Sequence, residues 1–226
     1  MTTAVMTEGI AEASPRFKAR IAGVFHLLTI LTGAFAVVFA GRRLFVYDAA
    51  NLIAIASYIA VILLFYDMFK PVNRSLSLLA AFFNLAGCII QALSSLLHLA
   101  PLVVLGGGQY LRGFKVEQLQ ALALMFLNLR AQATSIYMVF FGCYCLLIGY
   151  LIFRSTFLPR ILGVFMAIAG LSYQIFLSPP LANYLFPYIV APAGALGELS
   201  LILWLLVMGV NPQRWKAQAS AAEMRI

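Results

Sequence analysis

The sequence has few charged residues and few of the side chains that bind metals or carry acid–base catalysis. Only 10% of its 226 residues are charged, and it contains two histidines and three cysteines. Soluble domains carry about 25% charged and roughly 45–50% apolar residues, whereas 64% of this chain is hydrophobic. That balance is too apolar for a water-soluble core. It indicates an all-α, polytopic membrane protein with no soluble domain.

The few cysteines and histidines do not suggest a metal or cofactor site. Cys88, Cys143 and Cys145 all lie in apolar segments, and no CxxC motif is present. A zinc site would need three or four converging His, Cys, Asp or Glu ligands. The two histidines, His26 and His98, differ by ~27 Å in predicted depth at the helical rise, so they cannot share one haem iron. We therefore expect no metal and no cofactor.

Common catalytic and nucleotide-binding motifs are also missing. The chain has no GxSxG, HExxH or GxGxxG, and its triple glycine at 106–108 lacks the GK[ST] ending of a P-loop. The net charge of +8 could suggest nucleic acid, but the 15 Lys and Arg cluster at the ends of apolar segments. That distribution is the positive-inside pattern of membrane proteins. We expect no nucleic-acid partner, and enzyme activity is the least favoured function.

Long hydrophobic runs are what the sequence has in abundance. A helix needs ~20 mainly apolar residues to cross a bilayer. The runs and the turns between them predict a transmembrane domain over 17–210, between a cytoplasmic tail at 1–16 and a basic cytoplasmic tail at 211–226. Residues 117–130 either lie at the membrane interface or extend the fourth span outward. The six predicted spans cover 17–41, 49–69, 75–100, 134–153, 161–177 and 189–210.

The basic residues predict how the bundle is oriented. With six spans, both termini and the second and fourth turns share one side of the membrane. That side carries ten Lys and Arg, and the other side carries five. Because cytoplasmic segments are enriched in Lys and Arg, we predict that both termini face the cytoplasm.

A stripe of small and polar residues follows the third span from end to end. Its members recur every three or four residues, so they lie on one side of a helix. Such residues are the usual contacts between packed membrane helices, but they could also line a pathway or pocket, and both readings stay open. The stripe consists of Arg74, Ser77, Ala81, Asn84, Cys88, Gln91, Ser95 and His98.

Ionisable residues within the spans are the candidates for function, because they are costly to place in hydrocarbon. Counted from the cytoplasmic end at the helical rise, His26 is ~9 Å deep, Glu198 ~18 Å and Asn84 ~15 Å. On the same count His98 is ~36 Å deep, at the far interface. A carboxyl group near the midplane must pair or be protonated. We therefore predict a midplane polar site made of Glu198, Asn84, Gln91, His26 and Tyr58.

The chain resembles a known family over about residues 16–210. The most specific part is RSTFLPRILG at 154–163, within the longer segment FFGCYCLLIGYLIFRSTFLPRILGVFMAIAGLSY at 140–173. Further matching segments are 20–23, 70–74, 197–198 and 203–206. Together they look like domain-of-unknown-function family 4386, a widespread bacterial family of membrane proteins. The resemblance implies a multi-pass protein of the bacterial cytoplasmic (inner) membrane, and it carries over no activity or catalytic residue.

Three functions remain open, and all three place the protein in contact with membrane lipid. The first is binding or transport of a small lipophilic or weakly basic molecule at Glu198, in which a homo-oligomer could supply a second half. The second is an accessory membrane protein that has no ligand and a filled bundle centre. The third is an intramembrane enzyme acting on a lipid or isoprenoid, with Glu198 and His26 exchanging protons. We favour the first slightly over the second.

Overall fold

The computed structural model describes residues 14–38, 43–106 and 108–224, which are helical and contain no strand. The predicted N-terminal tail therefore lies mostly outside the described residues, as do the end of the first predicted span at 39–41 and the last residues of the C-terminal tail. The helices are α1 Pro15–Val38, α2 Leu44–Phe69, α3 Arg74–Leu105, α4 Val116–Arg154, α5 Arg160–Tyr173, α6 Pro179–Leu185, α7 Ala191–Val207 and α8 Pro212–Glu223. Short 3₁₀ turns at Gln109–Leu111 and Gln174–Leu177 and a π-helical segment at Phe186–Val190 join some of them.

Six helical segments are long and apolar enough to cross a membrane. Each has at least 18 residues, and the fifth and sixth continue from one short helix into the next. This confirms the prediction of an all-α, multi-pass bundle with six spans. The segments are Pro15–Ala36, Leu44–Phe69, Arg74–Leu105, Val116–Arg154, Arg160–Leu177 and Pro179–Val207.

The second turn is built by a proline and a capping asparagine. Pro71 lies two residues after the end of α2, and Asn73 begins α3 by accepting a hydrogen bond from the Leu76 N–H at 2.9 Å. The sequence predicts that the third span ends at residue 100, before Pro101; that boundary is wrong, because α3 continues through the proline to Leu105. A proline removes one N–H donor, and membrane helices often tolerate that loss where neighbouring groups satisfy the freed carbonyl.

Residues 117–130 extend the fourth span and do not form a separate helix. The helix α4 runs without a break for 39 residues, which at the helical rise is ~58 Å, against about 30 Å for the hydrocarbon of a bilayer. Its first half carries exposed apolar side chains, among them Val116, Leu124 and Met125. The sequence had left this choice open.

The helices α4 and α5 approach each other closely through glycines. A Cβ atom on Gly149 would lie 2.8 Å from the Gly163 carbonyl oxygen, and one on Gly163 would lie 2.6 Å from the Gly149 carbonyl oxygen. Only glycine allows backbones to touch in this way. Around this contact the core is apolar and filled by the fully buried Ile148, Leu151 and Leu201, among others.

Both described ends of the chain meet at one end of the bundle, which we call the terminal end. Arg16 Nε donates to the Met208 carbonyl at 3.2 Å, which joins the start of α1 to the end of α7. Trp215 Nε1 donates to the Met68 carbonyl at 3.0 Å, which docks α8 onto the end of α2. The opposite end, where α3 passes into α4, we call the loop end. The cytoplasmic orientation of the terminal end remains a prediction from charge.

Candidate functional site

The Glu198 carboxylate lies in the bundle between side chains of two other helices. The Tyr173 hydroxyl on α5 donates to Glu198 Oε1 at 2.5 Å. His26 Nε2 on α1 lies 3.7 Å from Glu198 Oε2, which is an ion-pair distance but too long for a hydrogen bond. The Glu198 side chain is 15% exposed, whereas that of His26 is 1% exposed. The carboxylate is thus held by groups on α1 and α5 and keeps limited access from outside.

Two glycines on α7 make this arrangement possible. A Cβ atom on Gly194, one helical turn before Glu198, would overlap the Tyr173 hydroxyl. A Cβ on Gly197 would lie 2.8 Å from the Ala169 Cβ of α5. Because both positions lack a side chain, α7 packs against α5 closely enough for Tyr173 to reach the carboxylate.

Aromatic rings on α2 and α4 complete the wall of the site. The Tyr58 ring lies 5.3 Å from the His26 ring, measured between centroids, and 6.2 Å from the Tyr144 ring. Phe141 contacts Tyr58 at 5.8 Å and Tyr173 at 5.1 Å on the same measure. Four of the six spans therefore contribute rings to one cluster at the centre of the bundle.

Among the described residues, several buried polar atoms have no hydrogen-bond partner. They are both ring nitrogens of His26, the hydroxyls of Tyr58 and Tyr144, both amide atoms of Asn84 and Oε1 of Gln91. Buried polar groups in proteins are almost always hydrogen-bonded, to protein or to ordered water. Those of His26, Tyr58 and Tyr144 belong to neighbouring rings, so they can donate to and accept from a polar group or water held between them.

The structure corrects the depths that the sequence suggested for His26 and Glu198. The count along the chain separated them by ~9 Å, yet their side chains are 3.7 Å apart. The contact of Arg16 with Met208 sets the register of α1 against α7. From that contact His26 and Glu198 are each ten residues along their helices, so both lie ~15 Å from the terminal end.

A second buried ionic cluster lies nearer the loop end. His98 Nδ1 is 3.0 and 3.2 Å from the two carboxylate oxygens of Asp48. The Tyr47 ring packs 4.7 Å from the His98 ring, and Arg130 Nη2 donates to the Tyr47 hydroxyl at 2.8 Å. This cluster joins α2, α3 and α4, and Asp48 and His98 are 4% and 7% exposed.

The structure places two of the four residues predicted beside Glu198 at its site, namely His26 and Tyr58. Asn84 is fully buried on α3, and its amide atoms have no hydrogen-bond partner among the described residues. Gln91 Nε2 instead donates to Asn51 Oδ1 at 3.4 Å, and Asn51 Nδ2 donates to Ser95 Oγ at 2.9 Å. Gln91 therefore belongs to the polar contacts that lead from the midplane towards Asp48 and His98.

The site predicted from sequence does not include Asp48, Tyr144 or Tyr173. Asp48 directly precedes the second predicted span, which begins at residue 49, but in the structure it lies inside α2 and is buried. A signal was present, because Asp48 precedes Asn51 by three residues just as His98 follows Ser95 by three. In two antiparallel helices such equal steps bring both pairs into contact.

Among the described residues no group of three or more His, Cys, Asp or Glu could hold a metal ion.

Comparison with known proteins assigns the chain to a family. No curated protein and no solved structure matches it. The family model described as "Domain of unknown function (DUF4386)" matches residues 48–209, which is more than half of the chain and includes both clusters except His26 and Tyr47. The protein is thus a multi-pass membrane protein that belongs to the DUF4386 family.

Proposed function

We propose that this protein binds a small lipophilic molecule with a basic nitrogen at the Glu198 site, in the cytoplasmic membrane of a bacterium. The observation that carries the proposal is a partly accessible carboxylate beside buried polar atoms that have no partner. Such a set of groups needs a ligand or water to satisfy it. Transport of the same molecule across the membrane would be the natural extension of this binding.

The charge of Glu198 favours a cationic ligand. An ionised carboxylate in hydrocarbon is unstable unless it is paired. Its neighbours are a phenol and an imidazole, and no Lys or Arg among the described residues forms an ion pair with it. A protonated amine would supply the missing positive charge, and the rings of Tyr58 and Tyr144 offer faces that attract a cation.

The surroundings of Glu198 favour a lipophilic ligand that arrives from the bilayer. The residues beside it on α7 include Leu196 and Leu199, which are 44% and 41% exposed on the outside of the bundle. A molecule dissolved in lipid could reach the carboxylate without passing through water.

A pair of matched probes tests the charge dependence of binding. The amine 2-naphthylmethylamine and the neutral alcohol 2-naphthylmethanol have the same ring and nearly the same size. We expect wild-type protein in nanodiscs to bind the amine at least about tenfold more tightly than the alcohol, because one charge-assisted contact is worth about 1.5–3 kcal/mol. Equilibrium dialysis against empty nanodiscs measures both affinities.

Two Glu-to-Gln variants locate the site. We expect Glu198→Gln to abolish the preference for the amine, and Glu117→Gln to leave it unchanged because Glu117 is exposed at the start of α4. Equal affinity of the wild-type protein for amine and alcohol would overturn the proposal. So would an undiminished preference in the Glu198→Gln variant.

One observation favours a second function, that of an intramembrane enzyme acting on a lipid or isoprenoid. His26 and Glu198 are close enough to exchange a proton through a bound substrate or one water. In that case lipid extracts from cells expressing the wild-type protein would contain a species that is missing when His26→Gln is expressed. Identical extracts, measured by mass spectrometry, would remove this alternative.

A further inference from the structure

A cavity of ≈ 440 Å³ opens on the terminal end of the bundle, far from Glu198. Its walls come from the start of α1, the turn between α4 and α5, the end of α7 and the start of α8. We call it the basic cleft and define it by the residues that the argument uses, which are Arg16, Thr156, Trp204, Gly209, Asn211 and Arg214.

The two arginines of the basic cleft are anchored but not neutralised. Arg16 Nε donates to the Met208 carbonyl at 3.2 Å, and Arg214 Nη1 donates to the Thr156 carbonyl at 3.4 Å. These bonds hold the guanidinium groups in place and leave other N–H donors free. Within the described ranges neither arginine forms a salt bridge, and no Asp or Glu lines the cleft. Within the part of the chain that the structure describes, the site therefore has a net positive charge and no carboxylate counterion.

Two other cations at the same end of the bundle have a carboxylate partner. Lys18 and Lys70 both contact the Asp67 carboxylate, at 2.7 and 2.6 Å. Arg20 at this end donates to the Val207 carbonyl at 3.1 Å and, like the cleft arginines, forms no ion pair among the described residues. Arg16 and Arg214 differ from Arg20 because they line one cavity, which leaves room for an anion from outside the chain.

A glycine in a left-handed conformation brings Arg16 to the cleft. Gly209 has a φ of 67°, which other residues rarely adopt, and it follows Met208, the C-cap residue of α7. A Cβ atom there would lie 2.9 Å from Arg16 Cγ. On the opposite wall, Asn211 accepts from the backbone N–H groups of Gln213 and Arg214 at 3.1 Å and so begins α8.

Part of the wall of the cleft is apolar. Trp204, Phe157, Leu158 and Val210 contribute to its walls, and Val207 and Met208 beside it are 64% and 52% exposed. A cavity that is cationic at the end of the bundle and apolar along a span matches a molecule with an anionic head and a hydrocarbon tail. Guanidinium groups bind phosphate oxygens particularly well because their N–H donors form a planar fork.

We propose that the basic cleft binds the phosphate-bearing headgroup of an anionic phospholipid, with Arg16 and Arg214 on the phosphate and an acyl chain along α7. This site is separate from Glu198 and does not depend on the function proposed there. An anionic lipid is preferred to a zwitterionic one because the latter carries its own cation, which two unpaired arginines repel.

Native mass spectrometry and thermal unfolding of the full chain test the proposal. The probes are phosphatidylglycerol and phosphatidylcholine with identical acyl chains, and inorganic phosphate. We expect phosphatidylglycerol to bind at least about tenfold more tightly than phosphatidylcholine and to raise the unfolding temperature. The double variant Arg16→Gln/Arg214→Gln should lose this preference, while Arg16→Lys/Arg214→Lys should retain part of it.

A matched control uses cations of the same end that lie outside the cleft. The double variant Arg74→Gln/Lys216→Gln removes the same charge, and we expect it to bind phosphatidylglycerol as the wild-type protein does. Equal binding of the two lipids, or an equal loss in both Gln variants, would overturn the proposal by showing that only net charge matters. Inorganic phosphate that displaces phosphatidylglycerol at millimolar concentration would overturn the lipid assignment in favour of a free anion. None of these outcomes involves Glu198, so the two proposals fail separately.

Discussion

At the scale of single residues, the two buried carboxylates differ in how completely the protein satisfies them. Asp48 is 4% exposed, and both of its oxygens face His98. Glu198 accepts one hydrogen bond, from Tyr173, and has a longer contact with His26. Its side chain is 15% exposed. We infer that the Asp48 pair mainly stabilises the fold, whereas Glu198 retains capacity for a ligand.

The Asp48–His98 pair gives a first prediction about stability. Asp48→Leu removes one partner of a buried pair, and we expect it to lower the free energy of unfolding by about 3 kcal/mol. Asp48→Asn keeps the shape and a hydrogen bond, so its loss should be smaller. Unfolding in mixed micelles measures both, and His98→Gln combined with Asp48→Asn shows whether the two effects are coupled. If the Asp48→Leu variant were as stable as the wild-type protein, the inference that the Asp48–His98 pair stabilises the fold would be contradicted.

Gly194 gives a second prediction at the same scale. In Gly194→Ala the new methyl group overlaps the Tyr173 hydroxyl, so we expect a loss of about 1–3 kcal/mol in stability. The matched test is the same change in a Tyr173→Phe background, where the hydroxyl is absent and the loss should shrink. Equal losses in the two backgrounds would show that the hydroxyl is not what the methyl group meets.

At the scale of helices, close backbone contact decides which pairs pack most tightly. The contact of α4 with α5 depends on Gly149 and Gly163. Because neither residue has a side chain, the two helix backbones can pack directly against each other. The sequence marks these residues only as small positions on two spans. It does not distinguish them from Gly33, which faces open space.

These glycines supply a matched pair of variants. We expect Gly163→Ala to destabilise the protein by about 1–3 kcal/mol, because the methyl group would collide with the α4 backbone, which cannot yield as a flexible side chain can. Gly33→Ala should be neutral or stabilising by up to about 1 kcal/mol, since alanine is the better helix former and nothing obstructs it. Thermal unfolding in detergent compares them. The reverse order of stability would place the tight helix contact elsewhere.

The side chains of Arg214, Trp215 and Gln218 hold the helix α8 to the bundle. Trp215 Nε1 donates to the Met68 carbonyl, and Gln218 Oε1 accepts from both the N–H and the hydroxyl of Thr156. We expect Trp215→Phe to speed deuterium uptake over residues 212–223 several-fold, because a hydrogen bond of about 1 kcal/mol is lost. Gln213→Ala on the exposed face of α8 is the control, and equal uptake in both variants would argue against docking through Trp215.

At the scale of the whole molecule, the terminal end gathers both described termini and most of the basic turns. Contacts such as Arg20 Nη2 with the Val207 carbonyl at 3.1 Å tie that end together. The positive-inside rule then predicts that it faces the cytoplasm. This orientation also sets which leaflet the basic cleft meets.

Cysteine labelling checks the orientation. In a variant whose three native cysteines are replaced, we expect a membrane-impermeant maleimide to label Gly113→Cys in intact cells. Ser14→Cys and Ser220→Cys should react only after the cells are permeabilised. All three positions are exposed, so accessibility within the protein does not limit the reaction. Labelling of Ser220→Cys in intact cells would reverse the orientation.

Much of the fold was predictable because a membrane helix can be identified from the composition of one continuous segment. Six apolar runs, their turns and the basic residues that flank them are all properties of continuous segments. The candidate residues His26, Tyr58 and Glu198 could be named because ionisable and polar groups are rare within such runs. The length of α4 could not be decided, since residues 117–130 are amphipathic and suit either an interfacial helix or an extended one.

The sequence by itself determined that this is a multi-pass helical protein and which few side chains are unusual for hydrocarbon. Only the tertiary structure decided which of them meet, that His26 reaches Glu198, that Gln91 turns to Asn51, and that Asp48 is buried against His98. The physical reason is that hydropathy acts residue by residue, whereas a contact between spans depends on the register of one helix against another. That register is set by distant pairs such as Arg16 with Met208 and by glycines that touch a neighbouring backbone.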